Sequence, residues 1–174
     1  ELAYPMAIGF DIGEANELRM TLQLAVPISI GGGSSGGSGG SSGGGGEGGS
    51  GGEDETTSII TVDKPSIYSG LNLINNIISK EINVSHTKVI IISRRLAERG
   101  IMKYLHAFKR GRECEPNIFI AVSLDSPEEY LRKTKLILEV NPSKYYEQML
   151  EKNFTSFFPN VRLHDFYLKT ESDS

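Results

Sequence analysis

A mixed α/β (α+β) fold, in which helices pack on a mixed β-sheet, is the structure that this sequence of 174 residues predicts. Apolar and polar side chains alternate over residues 8–26, with the period of two that is typical of half-buried strands. Two short apolar runs, at 88–93 and 117–124, are typical of more deeply buried strands. Apolar residues with helical spacing lie between and after these runs. Strands that alternate with helices in this way favour a sheet covered by helices.

An antiparallel hairpin is expected at the N-terminus. Its first strand is centred on Ile8–Ile12 and its second covers Leu18–Val26, so that only the short segment Gly13–Glu17 connects them. A connection of that length favours antiparallel neighbours. Ser58–Val62 predicts a third strand of the same sheet.

Residues 31–52 separate the second strand from the third and contain only Gly and Ser, apart from Glu47. Such a segment has no apolar side chain to bury, and Gly loses the most backbone entropy on ordering, so we predict a long disordered loop. An engineered linker has a similar composition, but the irregular order and the strands on both sides favour an enlarged loop. Lengthening a short connection to this size costs only ~1.5 kcal/mol of closure entropy. Residues 1–174 are therefore predicted to form a single domain.

Helices and a strand are predicted between residues 65 and 110. Ser66 can cap a first helix, whose apolar stripe consists of Ile67, Leu71, Ile74 and Ile78. Lys88–Ser93 carries a continuous β-branched run and predicts a strand buried on both faces. Ser93 can cap a second helix that extends to about Lys109, with a break near Gly100.

The last third of the chain predicts one more strand, at Asn117–Leu124. The helix after it extends to about Leu138 and begins with a capping box and a proline at the first helical position, formed by Ser126, Pro127 and Glu129. Asn141–Pro142 repeats this start signal for another helix. A short final helix carries Val161, Phe166 and Tyr167.

Charge and cysteine content narrow the class of protein. A net charge of −4 and a pI near 5.5 argue against a general nucleic-acid binder, which usually has a basic surface. Cys114 is the only cysteine, so an intrachain disulfide or a cysteine metal cluster is excluded. No apolar run reaches the length of a transmembrane helix. The chain begins at Glu1 without an initiator Met, so we expect a fragment of a longer protein.

One short pattern resembles a phosphate-binding turn. Residues 8–13, Ile-Gly-Phe-Asp-Ile-Gly, look like the first phosphate-binding hairpin of the actin and sugar-kinase ATPase superfamily, in which an Asp-x-Gly turn holds metal and phosphate. That superfamily has Thr or Ser after the Gly, where this chain has Glu14, and no second hairpin of the kind follows. A plain hairpin with a Gly turn is the favoured interpretation, and a phosphotransferase fragment is the weaker alternative.

The remaining polar residues predict no catalytic, cofactor-binding or metal site. The three histidines do not have the spacing of metal ligands; they are His86, His106 and His164. Capping explains the serines that precede the predicted helices, Ser66, Ser93 and Ser126.

A basic stripe is the surface feature that suggests a contact. The spacing i, i+4, i+8, i+11 and i+15 would place five side chains on one face of the second helix, namely Arg95, Arg99, Lys103, His106 and Arg110. Most such stripes are simply solvated faces. The alternative is contact with anionic lipid headgroups or with an acidic partner protein, through Arg95, Arg99, Lys103 and Arg110.

Several short segments occur together and in one order along the chain. They are Glu1–Ala3, Ala7–Asp11, Thr21–Pro27, Ser85–Ser93 and Leu96–Ile101. In this combination, the sequence from Met6 to Leu131 resembles the N-terminal domain of the C-subunit lipoproteins of spore germinant receptors, the Ger(x)C family. Members of that family often have a Gly-rich insertion at the place where this chain has its Gly/Ser run.

The resemblance implies a non-enzymatic role without a cofactor or a nucleic-acid partner. Family members are diacylglycerol-anchored lipoproteins on the outer face of the spore inner membrane. They act with integral-membrane A and B subunits to convert nutrient binding into germination. This chain lacks the signal peptide and the lipidated cysteine of the full pattern and ends before the later domains, so we expect a soluble first domain of such a subunit. A lipoprotein module that binds a small germinant molecule directly is the alternative function.

Overall fold

The computed structural model describes residues 2–16, 18–25, 57–110, 117–137, 146 and 161–172. Within those residues it confirms the predicted mixed α/β fold, because five strands form a mixed sheet with helices packed on both faces. The predicted loop at 31–52 and most of the helix predicted after Asn141–Pro142 lie outside the described residues, so both stay predictions.

The main sheet joins the predicted hairpin to three further strands. The strands of the described residues are β1 (Leu2–Ala3), β2 (Pro5–Ile12), β3 (Leu18–Ala25), β4 (Thr57–Lys64), β5 (Glu81–Ile82), β6 (Val89–Ser93) and β7 (Phe119–Ser123). The order in the main sheet is β4-β3-β2-β6-β7, while β1 and β5 pair separately. The strands β2, β3 and β4 are antiparallel neighbours, and β6 and β7 run parallel to β2. The predicted hairpin is confirmed, with Ile12 opposite Leu18 at its closed end.

Helices begin and end close to the predicted positions. Those described are α1 (Ile67–Ile78), α2 (Arg94–Arg99), α3 (Met102–Arg110), α4 (Pro127–Ile137) and α5 (Leu163–Ser172). The Ser66 hydroxyl accepts a hydrogen bond from the backbone N of Ser69 at 3.2 Å, which caps α1 as predicted. The Ser93 hydroxyl caps α2 in the same way, through the backbone N of Leu96. The predicted break is confirmed at Gly100, whose φ of 92° ends α2.

The sheet separates two apolar clusters of unequal size. The larger lies between the sheet and α1, α2, α3 and α5, and its most deeply buried members include Ile8, Phe10, Leu22, Ile74, Ile90 and Leu105. The smaller lies on the side of α4 and contains Ala7, Val89, Ile91, Phe119, Leu131 and Tyr146. Strand β6 supplies both clusters because successive side chains of a strand point to opposite faces. All five residues of β6 are buried, which confirms the prediction made from its β-branched run.

Two strand–helix–strand passages build the parallel half of the sheet. One leads from β4 through α1 to β6, and the other leads from β6 through α2 and α3 to β7. In both passages the two strands run in the same direction, as a crossover connection requires. The ends of β2, β6 and β7 therefore lie at one edge of the sheet, next to the hairpin connection.

Candidate functional site

A row of charged side chains crosses the sheet where β2 ends. Asp11 of β2 lies opposite Arg19 of β3, and Arg19 lies opposite Asp63 of β4. Residues that lie opposite one another point to the same face of a pleated sheet, so these three side chains share one face. Arg95 of α2 binds Asp11 at the end of the row. The charges therefore alternate in sign from α2 to β4, and we call these four side chains the charged row.

Arg19 and Asp63 form a bidentate ion pair. The Nε and Nη2 atoms of Arg19 donate to Oδ1 and Oδ2 of Asp63, both at 2.7 Å. The backbone N of Glu14 also donates to Oδ2 at 3.1 Å. The hydrogen bond from Arg19 lowers the pKa of Asp63 below its ordinary value, against the opposing effect of burial, and the same bond raises the pKa of Arg19. Both groups are therefore charged at neutral pH, and they join β3 to β4 beside the hairpin connection.

Asp11 is the buried member of the charged row, with only 5% of its side chain exposed. Its two carboxylate oxygens accept hydrogen bonds from Nη2 of Arg95 at 3.1 and 3.0 Å, and Oδ1 also accepts one from the backbone N of Ile12 at 2.7 Å. A buried carboxylate without a partner is strongly destabilising, so Arg95 compensates the charge of Asp11. The Arg95 side chain is itself 68% exposed. This pair therefore connects the end of the sheet to the protein surface.

The charged row occupies the turn that resembles a phosphate-binding hairpin. Asp11 is bound by Arg95, and a Cβ added to Gly13 would lie 2.7 Å from Cγ of Asp63. The Asp63 side chain therefore covers the turn, and a phosphate there would meet the negative charges of Asp63 and Glu14. Among the described residues, no group of three or more His, Cys, Asp or Glu side chains is arranged to hold a metal ion. This geometry gives the phosphotransferase alternative no support.

The residues of the predicted basic stripe are divided between two helices. Arg95 and Arg99 belong to α2, whereas Lys103 and Arg110 belong to α3, beyond the break at Gly100. The expectation of one continuous helix face is therefore wrong, because a helical spacing holds only while the helix is unbroken. The Nζ atom of Lys103 lies 4.6 Å from the centre of the Tyr104 ring. The proposed contact role of these residues stays a prediction.

The exposed surface of α1 is a feature that was not predicted from the sequence. Tyr68 and Ile77 keep 53% and 58% of their surface exposed, and Asn72 and Asn76 are exposed as well. None of the twelve residues of α1 is charged. The sequence could have indicated this feature, because the solvent-facing side of a surface helix ordinarily carries charged and polar residues and the segment 67–78 has no charged residue.

The protein is a mixed α/β domain. In it, the turn that resembles a phosphate-binding hairpin is occupied by ion pairs within the chain. The family model described as the spore germination protein N-terminal domain matches residues 1–174. The chain belongs to this family, and the resemblance to germinant-receptor C subunits that the sequence indicated is confirmed at the level of this domain. Comparisons with curated proteins and with solved structures found no match. Within the described residues, no helix is long and apolar enough to cross a membrane.

Proposed function

We propose that this domain is a non-enzymatic part of a spore germinant-receptor complex and acts in germination signalling. The match of residues 1–174 to a family of spore germination proteins carries the proposal. The charged row supports it, since Asp11 and Asp63 are both held by arginines. The pKa of Asp63 is lowered, and a carboxylate with a lowered pKa is a poor general base at neutral pH.

The proposed partners are the integral-membrane A and B subunits of the receptor. The proposed location is the outer face of the spore inner membrane, where a lipid anchor on the full-length protein would hold the domain. An acidic partner surface or anionic lipid would contact Arg95, Arg99, Lys103 and Arg110. Arg95 supports this role because its side chain is 68% exposed while its guanidinium binds Asp11. A guanidinium has five N–H donors, so Arg95 can bind a second anionic group without releasing the first.

Cross-linking of the full-length, lipidated protein in spore membranes, followed by mass spectrometry, tests the complex. We expect cross-links between this domain and the integral-membrane subunits. Efficient cross-linking that recovers no such subunit would contradict the proposal. Calorimetric titration of the domain with amino acids, sugars and nucleosides tests the alternative, because saturable binding would identify it as a direct germinant sensor.

Charge reversal tests the contact residues separately. The double variant Arg99→Glu with Lys103→Glu is expected to weaken association with membranes or receptor subunits, because it replaces two positive charges by negative ones. Flotation with receptor-containing vesicles measures this association. The matched control is Lys169→Glu, which reverses an exposed charge on α5. Equal flotation of the double variant, the control and the unchanged protein would show that these residues make no contact.

A further inference from the structure

We infer that Arg95 binds a carboxylate of a partner protein, and that Asp11 is the positioning residue that holds the Arg95 guanidinium in place for this contact. The inference deepens the proposed function and rests on it, because it names the chemistry by which α2 would recognise a receptor subunit. Asp11 is almost completely buried, so it acts on the partner only through Arg95.

The ion pair between Asp11 and Arg95 uses one nitrogen of the guanidinium. Both carboxylate oxygens of Asp11 accept hydrogen bonds from Nη2 of Arg95, at 3.1 and 3.0 Å. Within the described residues, no acceptor is found for the Nε and Nη1 atoms of Arg95. These two nitrogens carry most of the N–H groups of a guanidinium. Arg95 therefore keeps donors for a second anion while it binds Asp11.

The other ion pair of the charged row is built differently. Arg19 uses both Nε and Nη2 in its contact with Asp63, and this contact joins β3 to β4. The Arg95 side chain is 68% exposed against 31% for Arg19, although Asp11 is the more deeply buried of the two carboxylates. Neutralising Asp11 accounts for Nη2 of Arg95 and leaves its other donors without a structural task.

The buried carboxylate of Asp11 gives the surface arginine a fixed point. An arginine that is not held in advance loses rotamer freedom when it binds a partner, and this loss weakens the contact. Asp11 is itself held, because its Oδ1 also accepts a hydrogen bond from the backbone N of Ile12 at 2.7 Å. Arg94 lacks such support, since its partner Glu98 is exposed. Arg95 is therefore the better prepared of the two neighbouring arginines for binding an anion.

The surroundings of Arg95 favour a single carboxylate over a layer of anionic lipid. The pKa of Arg19 is raised mainly by its hydrogen bond to Asp63. The negative charges of Glu128 and Glu14 raise it further, so both acids lie close to the charged row. A flat anionic surface would approach these acids together with Arg95, and clusters of basic residues are what lipid headgroups attract. One acidic side chain of a protein can reach Arg95 alone, so the partner is a protein.

Carbodiimide coupling tests the contact in the full-length protein in spore membranes. Arg95→Lys keeps a positive charge beside Asp11 and introduces an amine, which a carbodiimide joins as an amide to a carboxylate in contact, whereas a lipid phosphate gives no stable amide. We expect mass spectrometry to find position 95 linked to an Asp or Glu of one partner protein. The control is Arg94→Lys, at a similarly exposed position of α2. Equal linkage from both positions, or no linkage of position 95 to another protein, would overturn the inference.

Asp11→Asn tests the positioning role, through the Kd of the full-length protein for the purified partner that position 95 identifies. We expect this variant to raise the Kd about tenfold at low salt and less at high salt, because Arg95 is no longer held for an ionic contact. The control is Glu98→Gln, which releases Arg94 in the same way and should leave the Kd unchanged. An unchanged or lowered Kd for Asp11→Asn would overturn the inference. So would an increase that is equal at both salt concentrations, since that indicates a folding defect.

The outcome also separates this inference from the proposed function. A carboxylate at position 95 that belongs to a protein other than a receptor subunit would support the role of Arg95 and contradict the receptor complex. Receptor subunits that are linked to the domain only at other positions would support the complex and overturn the role of Arg95 and Asp11.

Discussion

Helices α1 and α4 pack on opposite faces of one sheet and have nearly equal lengths, yet their outer sides are opposite in character. The outer side of α4 carries two ion pairs at i, i+4, Glu128 with Arg132 and Glu129 with Lys133. The exposed residues of α1 include Tyr68 and Ile77, and none of the residues of this helix is charged. Since both helices need only an apolar inner side to pack, the difference on the outside is not dictated by the fold.

The contrast continues in the sheet beneath the two helices. On β3, the side chains directed to the larger cluster are apolar, whereas those directed to the other face are Arg19, Thr21 and Gln23. The fully buried Gln23 accepts a hydrogen bond from the Tyr146 hydroxyl at 2.7 Å. The α1 side of the sheet is thus held by apolar burial, and the α4 side depends more on polar pairing. Four substitutions test this difference, beginning with the largest expected effect.

Truncation of the buried side of α1 should have the largest effect. Ile74 is fully buried in the larger cluster, and Ile74→Ala removes methyl groups and leaves a cavity. We expect a loss of about 2–5 kcal/mol in the free energy of unfolding, measured by urea denaturation. The control is Ile77→Ala on the outer side of the same helix, for which the loss should stay below about 1 kcal/mol. Similar losses for both variants would mean that the outer side is packed as well.

A methyl group at the contact between β2 and α4 should have the next largest effect. A Cβ added to Gly9 would lie 2.8 Å from Cβ of Pro127, which is part of a rigid ring at the start of α4. Gly9→Ala should therefore cost about 1–3 kcal/mol in thermal or urea denaturation. In the comparable Gly70→Ala, the nearest atom is Cε of Met20, the end of a flexible side chain, at 2.7 Å. The free energy of unfolding of this control variant should stay nearly unchanged, because Ala also favours the helix by about 1 kcal/mol over Gly. A larger loss for Gly70→Ala would reverse the comparison.

Neutralising Asp63 should have a smaller effect that depends on pH. The folded-state pKa of Asp63 is lower than that of the unfolded chain, so its ion pair with Arg19 stabilises the protein above the unfolded pKa of about 3.9. This stabilisation is lost as the pH falls through the folded-state pKa. Asp63→Asn should cost roughly 1 kcal/mol at pH 7, because the pair is partly exposed, and close to nothing at the acid end of the titration. A difference in unfolding free energy that stays constant with pH would contradict this assignment.

Removal of one ion pair on α4 should have the smallest effect. Lys133 binds Glu129 at 2.8 Å, and both side chains are more than half exposed. Lys133→Gln should lower the free energy of unfolding only slightly, and the difference should shrink in high salt because ions screen exposed pairs. Chemical denaturation at low and high salt measures it. A loss that does not respond to salt would show that Lys133 acts through packing.

Local signals made most of the elements predictable. The capping serines Ser66 and Ser93 are followed by helices, and the β-branched run before Ser93 forms a strand buried on both faces. Gly100 ends α2, as a residue with no Cβ can at a positive φ. The family resemblance also came from the sequence, because it depends on the order of short segments and not on their positions in space.

The candidate sites were less predictable, because they depend on distant parts of the chain. Arg19 and Asp63 are 44 residues apart, and Asp11 and Arg95 are 84 residues apart. Nothing in the local sequence of Asp11 indicates that its carboxylate is paired, so the turn could be compared with a phosphate-binding hairpin. The basic stripe failed for a different reason, because a local pattern that the sequence does contain is interrupted in the structure. Arg95, Arg99 and Lys103 have helical spacing, but the helix is interrupted at Gly100, between the second and the third residue.

The sequence by itself determined the alternation of strands and helices, the caps that begin the helices and the family to which the chain belongs. These depend on side-chain periodicity and on residues within one turn of each other. The tertiary structure decided which charges are neutralised within the chain and which helix side remains uncharged and exposed. Those properties follow from strand order and register, which bring residues from distant positions to one end of the sheet and turn one side of α1 away from it.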